Sequence, residues 1–185
     1  MSHIAGQVSG VFWCAGAGDP MQSVRRLRVI AGIGLEGDRY ATGLGAYSAT
    51  EPPKIRHLSL ITEEGIETAN DWQHASGLPS FSMAQTRRNV LLRGISAQAL
   101  NDLVGQCFWV GTIQCRGIEL CTPCPRPSQL SQQDGFQEAF EGRGGLRAEV
   151  LLGGELALGD TLRCERPGLT SVGLCRTQAR PGPVD

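Results

Sequence analysis

Cys121-Thr122-Pro123-Cys124 is the pattern in this sequence with the widest chemical scope. Two thiols at this spacing can hold zinc, cycle as a dithiol, or present one working thiolate. Zinc needs two further ligands, and the nearest candidates, Cys107 and Cys115, lack the second close pair that makes such a signal strong. A thioredoxin-type dithiol needs its first cysteine at a helix N-terminus within a βαβ unit. Here a strand precedes it, and Pro125 and Pro127 follow. A single thiolate suits a rigid, proline-bracketed loop, with Arg126 nearby to favour its ionised form. Two buried cysteines acting as small apolar residues also satisfy the spacing. Spacing alone leaves these readings open.

Arginines form two further clusters. Arg87-Arg88-Asn89 and Arg143-Gly144-Gly145-Leu146-Arg147 each precede an apolar run, placing guanidinium groups beside backbone at a strand entrance. That arrangement suits an anionic ligand, although either cluster alone fits a solvated surface equally well. Gly32-Ile33-Gly34-Leu35-Glu36-Gly37 matches the dinucleotide-binding GxGxxG, which requires a helix opening at the third glycine. The following Asp38-Arg39-Tyr40-Ala41-Thr42-Gly43 cannot open a durable helix, so a tight turn with positive φ is expected instead. His57 and His74 have no metal-ligand spacing. No GxSxG elbow or Ser-His-Asp order supports hydrolase chemistry.

Composition narrows the classes. The chain has 185 residues, 17 Lys+Arg against 18 Asp+Glu, a net charge of −1 and 41% hydrophobic residues. Near-cancelling charge argues against a nucleic-acid partner, which would need a clear basic excess. Lys54 is the single lysine among the cations, a bias that genomic base composition explains as readily as ligand binding does. The 25 glycines are about twice the usual share and point to a turn-rich β fold. Neither a signal-peptide pattern nor a membrane-length apolar run is present. The seven unevenly spaced cysteines do not read as a disulfide framework, so a cytoplasmic location with reduced thiols is expected.

Pattern and punctuation place these residues. Strands are predicted at Ile4–Cys14, Ser23–Ala31, Arg56–Ile61, Asn89–Leu92, Cys107–Val110, Thr112–Leu120, Leu146–Leu152 and Thr161–Glu165, with a long loop over Gly32–Pro53. Thr62 is expected to cap a helix that stops at Gly77, and Ser96 to cap a short helix through Leu103. A helical turn or two is expected within Ser131–Glu141. One domain over residues 1–166 is expected, with a disordered tail over 167–185.

Six segments then fall into a shared order. Gly34-Leu35-Glu36-Gly37-Asp38-Arg39, Leu58-Ser59-Leu60-Ile61-x-x-Glu64, Arg88-Asn89, Pro123-Cys124, Arg143-x-Gly145 and Gly159-Asp160 together resemble the MOSC domain family. The family is named for the C-terminal domain of molybdenum cofactor sulfurases. The resemblance spans about residues 5–165. It implies a mainly β protein, a distorted β-barrel with a few short helices. It also implies binding of the molybdenum–pterin cofactor, with a cysteine thiolate on the metal and arginines on the phosphate, and reduction of N-hydroxylated small molecules. Other members are associated with cofactor sulfuration, which makes sulfur carriage as a persulfide the alternative activity. A non-catalytic cofactor- or partner-binding module is a third reading.

Carried onto this chain, the resemblance gives Cys124 as catalytic thiolate and metal ligand. Arg88, Arg143 and Arg147 would hold phosphate or pterin, and Asn89 would add amide hydrogen bonds. Asp38 and Arg39 would shape the pocket through a salt bridge or a pterin contact. Tyr40 stands where the family often has His. No desulfurase domain is present and Lys54 sits in a proline-flanked loop, so no pyridoxal phosphate is expected on this chain despite the family-level association. Expected partners are a small-molecule substrate and an electron-donor protein or a cysteine desulfurase, with no nucleic acid and no membrane.

Overall fold

Alternation of small and branched apolar residues builds the sheet. In a computed structural model describing residues 3–165, strand β9 (Leu146–Leu152) turns Leu146, Ala148 and Val150 inward and leaves Arg147 and Glu149 half-buried between them. The same period-two logic sets β7 (Cys107–Val110) and β8 (Ile113–Leu120), joined through Gly111 at φ 57°. With β1 (His3–Trp13), β5 (Leu58–Thr62), β6 (Val90–Arg93) and β11 (Thr161–Glu165), these strands follow the order β11-β7-β8-β9-β5-β6-β1. Pairing of β1 with β11, from His3 opposite Glu165 to Gln7 opposite Thr161, closes the ring into a seven-stranded barrel. The fold is therefore mainly β, as expected.

β2 (Gln22–Val24) extends the barrel sheet beside β1. A second sheet has the order β10-β3-β4, formed by Gly154–Ala157, Arg26–Ile30 and Gly34–Leu35. The strand expected over Ser23–Ala31 is thus two strands, bent at Arg25 and shared between different sheets. Gly34 and Leu35 form a strand, with turn and no helix after it, which agrees with the turn reading of the glycine motif.

Among the strands described, only β5 and β6 pair in parallel, and a parallel pair needs a crossover. α1 (Glu63–Ala75) and the short α2 (Met83–Thr86) supply it. Thr62 caps α1 as predicted, its Oγ1 accepting from Gly65 N at 3.0 Å, and Gly77 follows the helix at φ 71°. Ser96 caps α3 (Ala97–Asn101) through Ala99 N, 3.2 Å away. The helical turn or two expected over 131–141 is α5 (Phe136–Ala139); an unforeseen α4 (Arg126–Ser131) precedes it, the two separated by left-handed Gln132 and Gly135.

The barrel interior is filled by residues such as Val8, Leu60, Leu92, Phe108, Ile113 and Val150, all at most 1% exposed. Outside it, Ile61 and Ala69 pack with Phe81, Phe136 and Phe140, whose rings meet at centroid distances of 4.4 to 5.9 Å. This second core anchors α1 and α5 on the outer face of the sheet. The expected tail over 167–185 lies outside the described residues.

Candidate functional site

β8 ends at Leu120, and the chain then turns through Cys121-Thr122-Pro123-Cys124 into α4. Two backbone ties fix this turn. Cys121 N donates to Gly145 O at 2.7 Å, and Arg88 Nε donates to Gly144 O at 2.7 Å. The Gly144-Gly145 pair is required by close approach. A Cβ at 144 would stand 2.2 Å from Cys121 O, and one at 145, where φ is 96°, only 2.1 Å from Leu60 O. The motif containing Arg143 therefore acts chiefly through its glycines, which draw β5, β9 and the cysteine turn together.

Beside that turn opens a cleft of about 650 Å³ of empty space, mouth included. Arg39, Arg56, Arg87, Arg88, Arg126 and Arg147 line it, together with Cys121 and Cys124, and no carboxylate does so among the described residues. Cys121 is buried and Cys124 half-buried; both are free thiols. Tyr47 Oη donates to Cys124 Sγ at 3.8 Å. Cys14 and Cys115 are also free. Burial pushes Cys115 up to about 12, which leaves it a packing residue.

The sequence-derived residues divide into three groups. Cys124, Arg88, Arg147 and Arg39 reach the cleft directly. Asp38, 3% exposed, sits behind it: Oδ2 accepts from Cys14 N, Arg39 Nη1 and Asn89 Nδ2 at 3.1 to 3.3 Å, and Oδ1 from Tyr40 N at 3.1 Å. Asn89 lines the cleft, but its amide is engaged. Oδ1 accepts from Ser59 N and Oγ, and Nδ2 donates to Phe12 O and Asp38. Asp38 and Asn89 thus bind the glycine loop, β1 and β5 to one another. Arg143 is not brought to the cleft; its Nη1 donates to Ala139 O at the end of α5 at 2.6 Å.

The remaining cations differ in how far they are committed. Arg39 is 4% exposed and gives hydrogen bonds to Asp38, Cys14 Sγ, Met21 Sδ and Arg87 O. Arg87 adopts a left-handed backbone at φ 63°, rare for a residue with a Cβ, and is held by Asp19 O, Ala17 O and Cys14 Sγ. Burial, and then the neighbouring Arg39 charge, lowers its pKa below the usual guanidinium range. Arg126 donates to Ala17 O at 2.8 Å, and Arg147 pairs with Glu119 at 2.8 Å. Arg56 is least committed. Its guanidinium lies 5.6 and 5.1 Å from the Tyr40 and Tyr47 ring centroids, and its buried Nε has no hydrogen-bond partner.

Arg56 and Tyr47 were not singled out from sequence as site residues. Arg56 reads as the first residue of a strand, and Tyr47 lies in a glycine-rich loop without period. Their signal is their convergence on Cys124 across some seventy residues of chain, which local spacing does not carry.

A cleft of this kind attracts anions, because guanidinium groups stabilise negative charge strongly where water is restricted, and of its six arginines only Arg39 and Arg147 are paired with a carboxylate among the described residues. It also offers a soft sulfur ligand. No cluster of three or more His, Cys, Asp or Glu suited to a metal ion occurs among the described residues. One thiol among arginines therefore fits a metal that arrives with its own anionic ligand, rather than an ion caged by protein groups.

The architecture and the site define a seven-stranded barrel protein with a thiol in an anion-receptive cleft. The MOSC domain family profile matches residues 56–163, more than half of the chain, and the chain belongs to that family. The fold is similar to that of the YuaD protein from Bacillus subtilis, with a TM-score of 0.71 and 18% identity over 89% of this chain and 99% of that one. It is also similar to YiiM from Escherichia coli, with a TM-score of 0.58 and 14% identity over 88% of this chain and 71% of that one. YiiM from Geobacillus stearothermophilus gives 0.56 and 16%, over 91% and 78%. No curated protein sequence matches significantly.

Proposed function

We propose that the cleft binds the molybdenum–pterin cofactor, with Cys124 as the protein's ligand to the metal, and that the protein reduces N-hydroxylated small molecules. One observation carries this reading: a half-buried free thiol shares a cleft with six arginines and no carboxylate. Family membership supports the cofactor class. When bound, the cofactor would supply two-electron redox chemistry at the metal. Arg88, Arg147, Arg56 and Arg126 have guanidinium N–H groups left over from their protein contacts to hold its phosphate. Asn89 and Asp38 act one step removed, by fixing the loop that carries Arg39. Reduction of an N–OH group to N–H with release of water consumes two electrons and two protons, so an electron-donor protein is part of the proposal.

The test is metal analysis of the full chain made in a cofactor-proficient host. Wild type is expected to carry molybdenum and Cys124→Ser to lose it. Wild type free of molybdenum despite ample cofactor would overturn the reading.

A second reading is sulfur carriage on Cys124, favoured by its partial exposure beside a second free thiol in the same cleft. Incubation with a cysteine desulfurase, followed by mass spectrometry, should then find an added sulfur on Cys124. An unmodified thiol, under conditions that load a known carrier, removes this option.

A further inference from the structure

The stretch from Tyr40 to Arg56 contributes Tyr40, Ala46, Tyr47 and Arg56 to the cleft, yet it contains no helix or strand. Side chains must therefore hold it in place. The Arg56 guanidinium packs against both Tyr40 and Tyr47, and the Arg39 guanidinium packs on Tyr40 at 5.0 Å. Such contacts strengthen where the cation is poorly hydrated. The unpartnered, buried Nε of Arg56 indicates that ring faces, rather than a carboxylate, hold this cation. At the far end of the same assembly stands Cys124. Tyr47 is 39% exposed, and its hydroxyl meets Sγ.

We propose that Tyr47 is a positioning residue for Cys124. Its hydroxyl donates to Sγ and orients the sulfur, while its ring, seated on Arg56, covers that sulfur from the solvent side and leaves it open to the cleft. The role rests on the reading of Cys124 as the working thiol, but the contact is a property of the protein without any cofactor.

Iodoacetamide alkylation of Cys124 in the full-length protein near neutral pH, followed by peptide mass mapping, should run several-fold faster in Tyr47→Ala than in wild type. Tyr47→Phe, which keeps the ring, should stay close to wild type in that assay. The proposal is overturned if Tyr47→Ala is alkylated no faster than wild type. The readout does not involve molybdenum. Faster alkylation of the variant in a protein that never takes up the metal would sink the proposed function and leave this contact standing.

Discussion

Asp38 and Arg147 show how differently two charged residues of one site are used. Asp38 is buried and accepts four hydrogen bonds, three of them on Oδ2, and its partners include a buried guanidinium at 3.1 Å. Asp38→Ala would leave Arg39 charged and uncompensated in the interior. We expect a loss of about 3–5 kcal/mol in stability, measured by denaturant unfolding, whether or not any ligand is present. Arg147 is paired with Glu119 and borders the cleft, so Arg147→Ala should act on ligand retention instead. About a tenfold weaker hold on a phosphate-bearing ligand is expected, corresponding to roughly 1.4 kcal/mol for a charge-assisted hydrogen bond. Arg143→Ala supplies the contrast: it loses a bond to Ala139 O, with about 1 kcal/mol of stability and unchanged retention. Equal loss of ligand in the Arg143 and Arg147 variants would contradict this division. Sequence spacing could not separate the two arginines, because the turn between them reverses the chain and only one then borders the cleft.

At the level of elements, the turn before β9 sets the geometry of the cysteine loop. Gly145→Ala must place a methyl carbon 2.1 Å from Leu60 O at a φ of 96°. Neither the contact nor the dihedral can relax without parting β9 from β5, whose Leu60–Leu146 pair is the adjoining rung. A cost above about 2 kcal/mol is expected, with loss of metal uptake in parallel, checked by thermal unfolding and metal content. The elements most legible in the sequence are those with local instructions. Thr62 and Ser96 announce helix starts, and the alternation in Leu146–Leu152 announces its strand to the residue. The short β4, β10 and α2 were not legible, because elements of two to four residues carry less than one full period and are made by their neighbours. The cleft was legible in its cysteine and in part of its arginine lining. The aromatic half was hidden, since Tyr40, Tyr47 and Arg56 gain meaning only when an irregular loop folds across the barrel.

For the molecule as a whole, His57 links the sheet to pH. Its Nδ1 accepts from Val150 N at 3.2 Å, and burial lowers its pKa below the usual 6.5 despite the opposing charge of Glu149. The unfolded chain therefore takes up a proton first as pH falls. The stability contributed by neutral His57 is complete above pH 6.5 and is lost as pH drops from there toward the depressed folded value. The thermal midpoint of wild type should accordingly fall more steeply below pH 6.5 than that of His57→Gln, whose amide oxygen can still accept; parallel curves would exclude this linkage. Barrel closure has a different consequence, in time rather than energy. Ile4 pairs with Cys164 across 160 positions of chain, so the ring cannot close until nearly all of its strands have been made. Loop entropy of that order must be overcome before the first and last strands reward each other, and folding on the slow scale of milliseconds to seconds follows. During synthesis β1 leaves the ribosome with its β11 edge unpaired. Its two glycines, Gly6 and Gly10, make that waiting strand a poor template for aggregation.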